Sequence, residues 1–181
     1  MFDQQTVHDS PEVRRILTFI VCSMFLIASP ALAQKKDSCS ECHTVMEGAL
    51  AEPVTLMKDD IHRARGLSCA DCHGGDPSQD APQRAMDPRK GYIGSPKLKD
   101  IPQVCGRCHT SADYMKRFNP ALRVDQEREY FTSVHGKRLA TGDQNVATCV
   151  SCHSAHGVRS INDPLSAVYA SNVAETCSKC H

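Results

Sequence analysis

Ten cysteines of this 181-residue chain fall into five C-x-x-C pairs, and a histidine follows each pair at once. They are Cys39/Cys42/His43, Cys69/Cys72/His73, Cys105/Cys108/His109, Cys149/Cys152/His153 and Cys177/Cys180/His181. Cysteines three positions apart share one face of a helical turn, so one short segment can present two thiols to the two neighbouring vinyl groups of a porphyrin. The next residue then points toward the iron, where an imidazole supplies the proximal ligand. C-x-x-C-H is accordingly the attachment signature of c-type haem. Two other chemistries use paired cysteines. Zinc ribbons need no histidine after the second cysteine, and an exported cysteine-rich chain can be a disulfide framework. Both leave five histidines unexplained. The pattern therefore predicts five covalently attached haem c groups, with the ten motif cysteines as thioether donors and the five motif histidines as proximal iron ligands.

Sixth ligands are scarcer. His8 precedes the expected cleavage site, which leaves His62, His135 and His156 as candidate distal ligands. Two axial imidazoles approach an iron from opposite faces of the ring. His156 is three residues from His153, about 4.5 Å along a helix, so it is expected to serve a different haem. His62 and His135 have enough chain before their next motifs to fold over those haems, and a neighbouring haem is equally allowed. Three histidines cannot cap five irons. The remaining positions fall to Met46, Met57, Met86 or Met115, to water, to an open site, or to a ligand from outside this chain. The sequence ends on His181, the last residue of its fifth motif, and we expect the natural chain to continue with further ligands.

The elements that must position these groups are short. The first cysteines fall at 39, 69, 105, 149 and 177, which excludes a fixed-period solenoid. The expected fold class is mainly α with much irregular loop and little or no sheet. One helix is predicted over 103–118, stopped by Asn119-Pro120. A second is predicted with Asn119 as its cap and Pro120 at its first position, running toward Val134 and ending near Gly136. Its charged face (Arg123, Asp125, Glu127, Arg128, Glu129) reads as solvated surface. Five of the ten prolines lie between Gly74 and Gln103, which predicts a loop draped over haem edges. Aromatics make up 5% of the chain and tryptophan is absent, thin material for a core. Haem packing is expected to supply the missing apolar surface, with the haem-free chain largely unfolded.

The N-terminus reads as an export signal over residues 1–33, followed by one domain over 34–181. Arg14 and Arg15 form a basic start, Ile16 to Ala28 is largely apolar, and Ala31-Leu32-Ala33 is an A-x-A cleavage site. The apolar run is short of the roughly 20 residues that span a bilayer. An uncleaved anchor, facing the periplasm from the inner membrane, is the alternative, and membrane contact is expected only if this segment is retained. Lys plus Arg and Asp plus Glu each number 21. No basic stripe or stacking aromatics point to nucleic acid.

SCADCHGGDP at 68–77, SVHG at 133–136 and CVSCHSAHG at 149–157 resemble segments of multihaem c-type cytochromes of the cytochrome c3-like, doubled C-x-x-C-H kind. The resemblance covers most of residues 38–181. It implies low-potential, mostly bis-histidine haems in van der Waals reach of one another, relaying electrons in the periplasm. The implied partners are a quinol-linked donor and a terminal reductase or other cytochromes. It carries a distal role to His62, His135 and His156. The ligand deficit departs from a fully bis-histidine pattern. That leaves as an alternative a multihaem reductase for nitrite, hydroxylamine or a sulfur oxyanion, working at an open axial position, although no C-x-x-C-K motif is present.

Overall fold

The computed structural model describes residues 36–181, so the export segment and its cleavage site lie outside the described residues. Eleven α-helices follow one another along this part of the chain. They are α1 (Ser38–Thr44), α2 (Glu52–Leu56), α3 (Ile61–Ala64), α4 (Cys69–His73), α5 (Pro82–Ala85), α6 (Ile101–His109), α7 (Ala112–Met115), α8 (Gln126–Thr132), α9 (Val134–Ala140), α10 (Cys149–His153) and α11 (Val173–Ser178). Four 3₁₀ turns lie between them, and no strand occurs among the described residues. About half of these residues are helical and the rest is loop. The fold class is therefore a small helical protein without sheet.

The helices are short because caps recur every few residues. Asp37 starts α1 by accepting the Ser40 N–H. Ser111 starts α7 by accepting the Tyr114 N–H, and Ser133 starts α9 by accepting the Gly136 N–H. Even α6, the longest, has nine residues. Isolated helices below about 12 residues are marginal in water, so these are held by what they pack against.

Two predicted helices are each cut differently from expectation. The segment 103–118 is not one helix, because Ser111 takes extended backbone (ψ 104°) and restarts the chain as α7. Asn119-Pro120 does not open a helix either. The Asn119 side-chain oxygen accepts the Ala121 N–H in a local turn, and the chain stays irregular until Gln126. Ser133, again extended, separates α8 from α9, and Gly136 sits inside α9 instead of ending a helix.

Helices α6, α8, α9 and α10 pack together in the C-terminal part, while α1 lies on α2 and α4. Two glycines allow close approach. A side chain on Gly136 would strike the backbone of Tyr130 and Phe131, which ties α9 against α8. One on Gly106 would strike the Glu127 carboxylate, so Glu127 turns inward toward α6 and is not part of the solvated face predicted for it.

Among large apolar side chains only Met57, Met115 and Leu139 are buried in the described residues. Val45, Val134, Ile161 and Leu165 are each more than 60% exposed. At about 25 cal/mol per Å² of apolar surface buried, a core this small cannot offset the backbone entropy of so many ordered residues. No helix among the described residues is long and apolar enough to cross a membrane.

Candidate haem-ligating site

None of the ten motif cysteines is paired in a disulfide. Motifs one, two and four lie in short helices that begin at the first cysteine or just before it, α6 carries the third in its second half, and α11 ends at Ser178, inside the fifth. Motifs two and four are framed alike. Asp71 accepts the Ser68 N–H at 2.7 Å and its hydroxyl at 2.8 Å, and the Ser151 hydroxyl accepts the Thr148 N–H at 3.0 Å. These bonds set the first turn, and with it the direction of both cysteines.

Successive motifs lie side by side. Burial pushes the Cys39 thiol up to about 11, helped by Asp37 and then by Cys69. The Ser40 hydroxyl is 3.8 Å from the Cys69 sulfur. Burial raises Cys72, with Cys108 as the next cause, and Arg107 of the third motif donates to the Cys72 carbonyl. Cys105 is raised first by a hydrogen bond to the Cys149 thiol. Cys152 is raised by burial and then by Cys177 of the fifth motif. The order in space thus follows the order in sequence.

Each additional histidine pairs with one motif histidine. His156 and His73 have ring centroids 5.9 Å apart with planes at 19°. His62 and His109 are 6.1 Å apart at 88°, and His135 and His181 are 5.9 Å apart at 42°. None of the three pairs with the motif next to it in sequence. His62 passes over the second motif to the third, and His135 passes over the fourth to the fifth. His156 reaches back to the second, away from its neighbour His153.

The donor chemistry fits an iron between such rings. Metal–imidazole bonds of about 2 Å on each side, together with the half-width of each ring, separate two axial centroids by roughly 6 Å. Carbonyl and carboxylate oxygens only accept, so a ring nitrogen facing one must carry the proton. His73 Nδ1 donates to Gly94 O at 2.8 Å, His43 Nδ1 to Leu50 O at 2.9 Å, and His62 Nδ1 to Asp60 Oδ1 at 2.9 Å. In all three the Nε2 lone pair is left free for a metal. Burial holds His109, His153 and His156 below the ordinary imidazole range, so they are neutral and able to ligate at neutral pH.

The proline-rich segment is shaped to deliver one of these partners. It holds α5 and two 3₁₀ turns, and it closes back on the second motif through Ile93 N–H to His73 O at 2.9 Å. Gly74, at φ +71°, leaves no room for a side chain against the Gly91 carbonyl. The segment is thus a wrap that ends by placing Gly94 O on His73.

Asp60 was not visible as a site residue from the sequence. It is 2% exposed and accepts four hydrogen bonds. Burial alone would raise its carboxyl, but the donors from His62, Val158 and Gly157 outweigh it and hold it at about 2. The signal available was Asp60 as an N-cap two residues ahead of His62. Of the methionines, Met57 and Met115 are buried packing residues, while Met46 and Met86 are partly exposed.

A sheetless set of short helices that present thiol pairs, each followed by an imidazole, defines a multihaem c-type cytochrome. The Cytochrome c3 family model matches residues 61–181, and the chain belongs to that family. The match spans the second to fifth motifs and begins after the first. No curated protein and no solved structure matches the chain. Membership carries with it electron transfer through covalently bound haem c and exchange of electrons with redox partners.

Proposed function

We propose that this chain binds five haem c groups, one at each motif, and relays electrons along them in the periplasm. The donor side is a quinol-linked protein, and the acceptor is a terminal reductase or another cytochrome. The observation that carries the reading is the set of three imidazole pairs at 5.9–6.1 Å, which joins each spare histidine to a different motif.

In this reading Cys39, Cys42, Cys69, Cys72, Cys105, Cys108, Cys149, Cys152, Cys177 and Cys180 form thioethers, and His43, His73, His109, His153 and His181 are proximal ligands. His156, His62 and His135 are distal ligands toward the partners of His73, His109 and His181. When bound, haem supplies a reversible one-electron iron couple and a flat apolar body. The chain supplies the rest. Its Nδ1 acceptors fix the tautomer that frees Nε2, and its buried rings stay neutral. The side-by-side motifs keep successive sites at short range, which favours a relay over five isolated carriers. The export signal at 1–33 supports periplasmic maturation, since covalent attachment is completed outside the inner membrane.

The test is mass spectrometry and low-temperature EPR on protein matured in a host competent for cytochrome c assembly. The expected result is a mass increase of five haems, with at least three low-spin bis-histidine signals. A bare polypeptide or bound zinc would overturn the reading. His43 and His153 lie outside the three pairs. If their haems are high-spin and turn over nitrite or hydroxylamine, the protein is the reductase and not the relay.

A further inference from the structure

Asp60 lies between two of the imidazole pairs. Its Oδ1 accepts the His62 backbone N–H at 2.7 Å and the His62 Nδ1–H at 2.9 Å. Its Oδ2 accepts the Gly157 N–H at 2.7 Å and the Val158 N–H at 2.8 Å. These last two residues directly follow His156. The Ile61 N–H also donates to Val158 O at 2.8 Å, so the backbones that carry the two histidines are tied together beside the carboxylate. Nearly a hundred residues of chain separate the ends of this clamp. All four donors meet one buried anion, which fills the roughly four lone-pair sites of the carboxylate.

The geometry points to Asp60 as a positioning residue that sets two distal ligands at once and lowers the reduction potential of the haem on His109. This rests on the assignment of His62 and His156 as axial ligands. A carboxylate that takes the Nδ1–H of a metal-bound imidazole makes the ring a stronger donor and fixes its orientation. A stronger, more anionic ligand favours ferric over ferrous iron. The other ring hydrogen bonds differ on this point. His73 Nδ1 faces a neutral carbonyl, and His43 Nδ1 another. Among the described residues only the His62–His109 pair receives a full negative charge through a ring hydrogen bond. The haem on His109 should therefore be lower in potential than its neighbours on either side in the relay. The clamp to Gly157 and Val158 gives His156 its place opposite His73, so the same carboxylate also sets the geometry one haem away.

Asp60→Asn keeps the shape and one acceptor oxygen but removes the charge. Potentiometric titration of the holoprotein should show one step moving upward by at least tenfold in its reduction equilibrium, which is 59 mV for a one-electron couple. Midpoints that all stay in place would overturn the proposal. Asp60→Ala should convert two low-spin haems to high-spin, those on His109 and His73, and leave the His135–His181 pair intact. Loss at neither, or equal loss at all three, would overturn the clamp. The unsubstituted holoprotein gives a reading that does not depend on a variant folding. By NMR, the His62 Nδ1 proton should exchange with solvent far more slowly than that of His135, and equal exchange sinks the idea. His62→Ala separates the two layers of the argument. If it costs no low-spin haem, the ligand assignment itself is wrong. If it costs one while Asp60→Asn moves no midpoint, only the role given to Asp60 fails.

Discussion

The segment around Cys69–His73 and the one around Cys149–His153 have the same local frame and different closures. Each is a five-residue helix. Each starts from a hydroxyl residue in extended backbone, Ser68 at φ −113° and Thr148 at φ −115°. Each also leaves its histidine through a positive φ, Gly74 at +71° and Ser154 at +69°. A spare histidine precedes each and pairs with the following motif, His62 with His109 and His135 with His181. Beyond this frame they diverge. The first segment is followed by the proline-rich wrap and receives Gly94 O on its histidine. Among the described residues the His153 ring has no such acceptor. The difference teaches that local sequence sets the attachment turn, whereas distant chain sets the tuning of each ligand.

The largest effect should come from withholding haem, which tests whether either closure stands without its cofactor. With Met57, Met115 and Leu139 as the buried large apolar side chains of the described residues, both segments should melt together. Far-UV circular dichroism of protein made without haem attachment is expected to lose most of its helical signal. A native-like spectrum with a cooperative melt would show that the polypeptide core was underrated.

Exchanging the exit residues breaks the comparison directly. Gly74→Ser places a side chain at positive φ and against the Gly91 carbonyl, and should destabilise the holoprotein by about 2–4 kcal/mol. Ser154→Gly removes the one non-glycine residue with positive φ among the described residues, and should stabilise by about 1 kcal/mol. Denaturant midpoints of the two variants should move in opposite directions. Movement in the same direction would mean the two exits are not equivalent.

Much of this frame was legible in the sequence. The first four motifs mark their own helical turns, the absence of sheet follows from their spacing and from the proline-rich loop, and the pairing of His156 with a histidine other than its neighbour His153 agrees with a rise of about 1.5 Å per residue. Which motif His62 or His135 meets was not legible, because dozens of flexible residues lie between them and chain length sets only an upper limit. The helix limits at 103–118 and 119–136 were misread for a related reason. Ser111 and Ser133 are ordinary in a helix by propensity, and their side chains restart a helix only when the backbone before them has been turned by packing. Asp60 was missed because its role depends on Gly157 and Val158, which nothing in the local sequence places beside it.

A smaller effect separates the two spare histidines. His62 is held through its ring by a buried carboxylate, whereas His135 is carried by the start of α9. There the Ser133 hydroxyl accepts the Gly136 N–H at 3.1 Å and donates to Tyr130 O at 2.6 Å. Ser133→Ala should lower stability by about 1 kcal/mol. It should also make the haem on His181 the first to show high-spin character on warming, with the His62–His109 pair unaffected. Optical spectra at rising temperature would read both.

The smallest expected difference lies in the two first turns. Asp71 accepts two hydrogen bonds from Ser68 as an anion, while Ser151 accepts one from Thr148 as a neutral hydroxyl. Charge-assisted bonds are roughly twice as strong as neutral ones, and a carboxylate in the first turn also meets the positive end of the helix dipole. Asp71→Ala should therefore cost about 1 kcal/mol and Ser151→Ala about 0.5 kcal/mol. The Asp71 residue is exposed, so raising the salt concentration should shrink its cost toward that of Ser151. Denaturation of both variants at low and high salt would check this. If the gap between them persists at high salt, it comes from the second hydrogen bond and not from the charge, and the two motifs then differ in bonding alone.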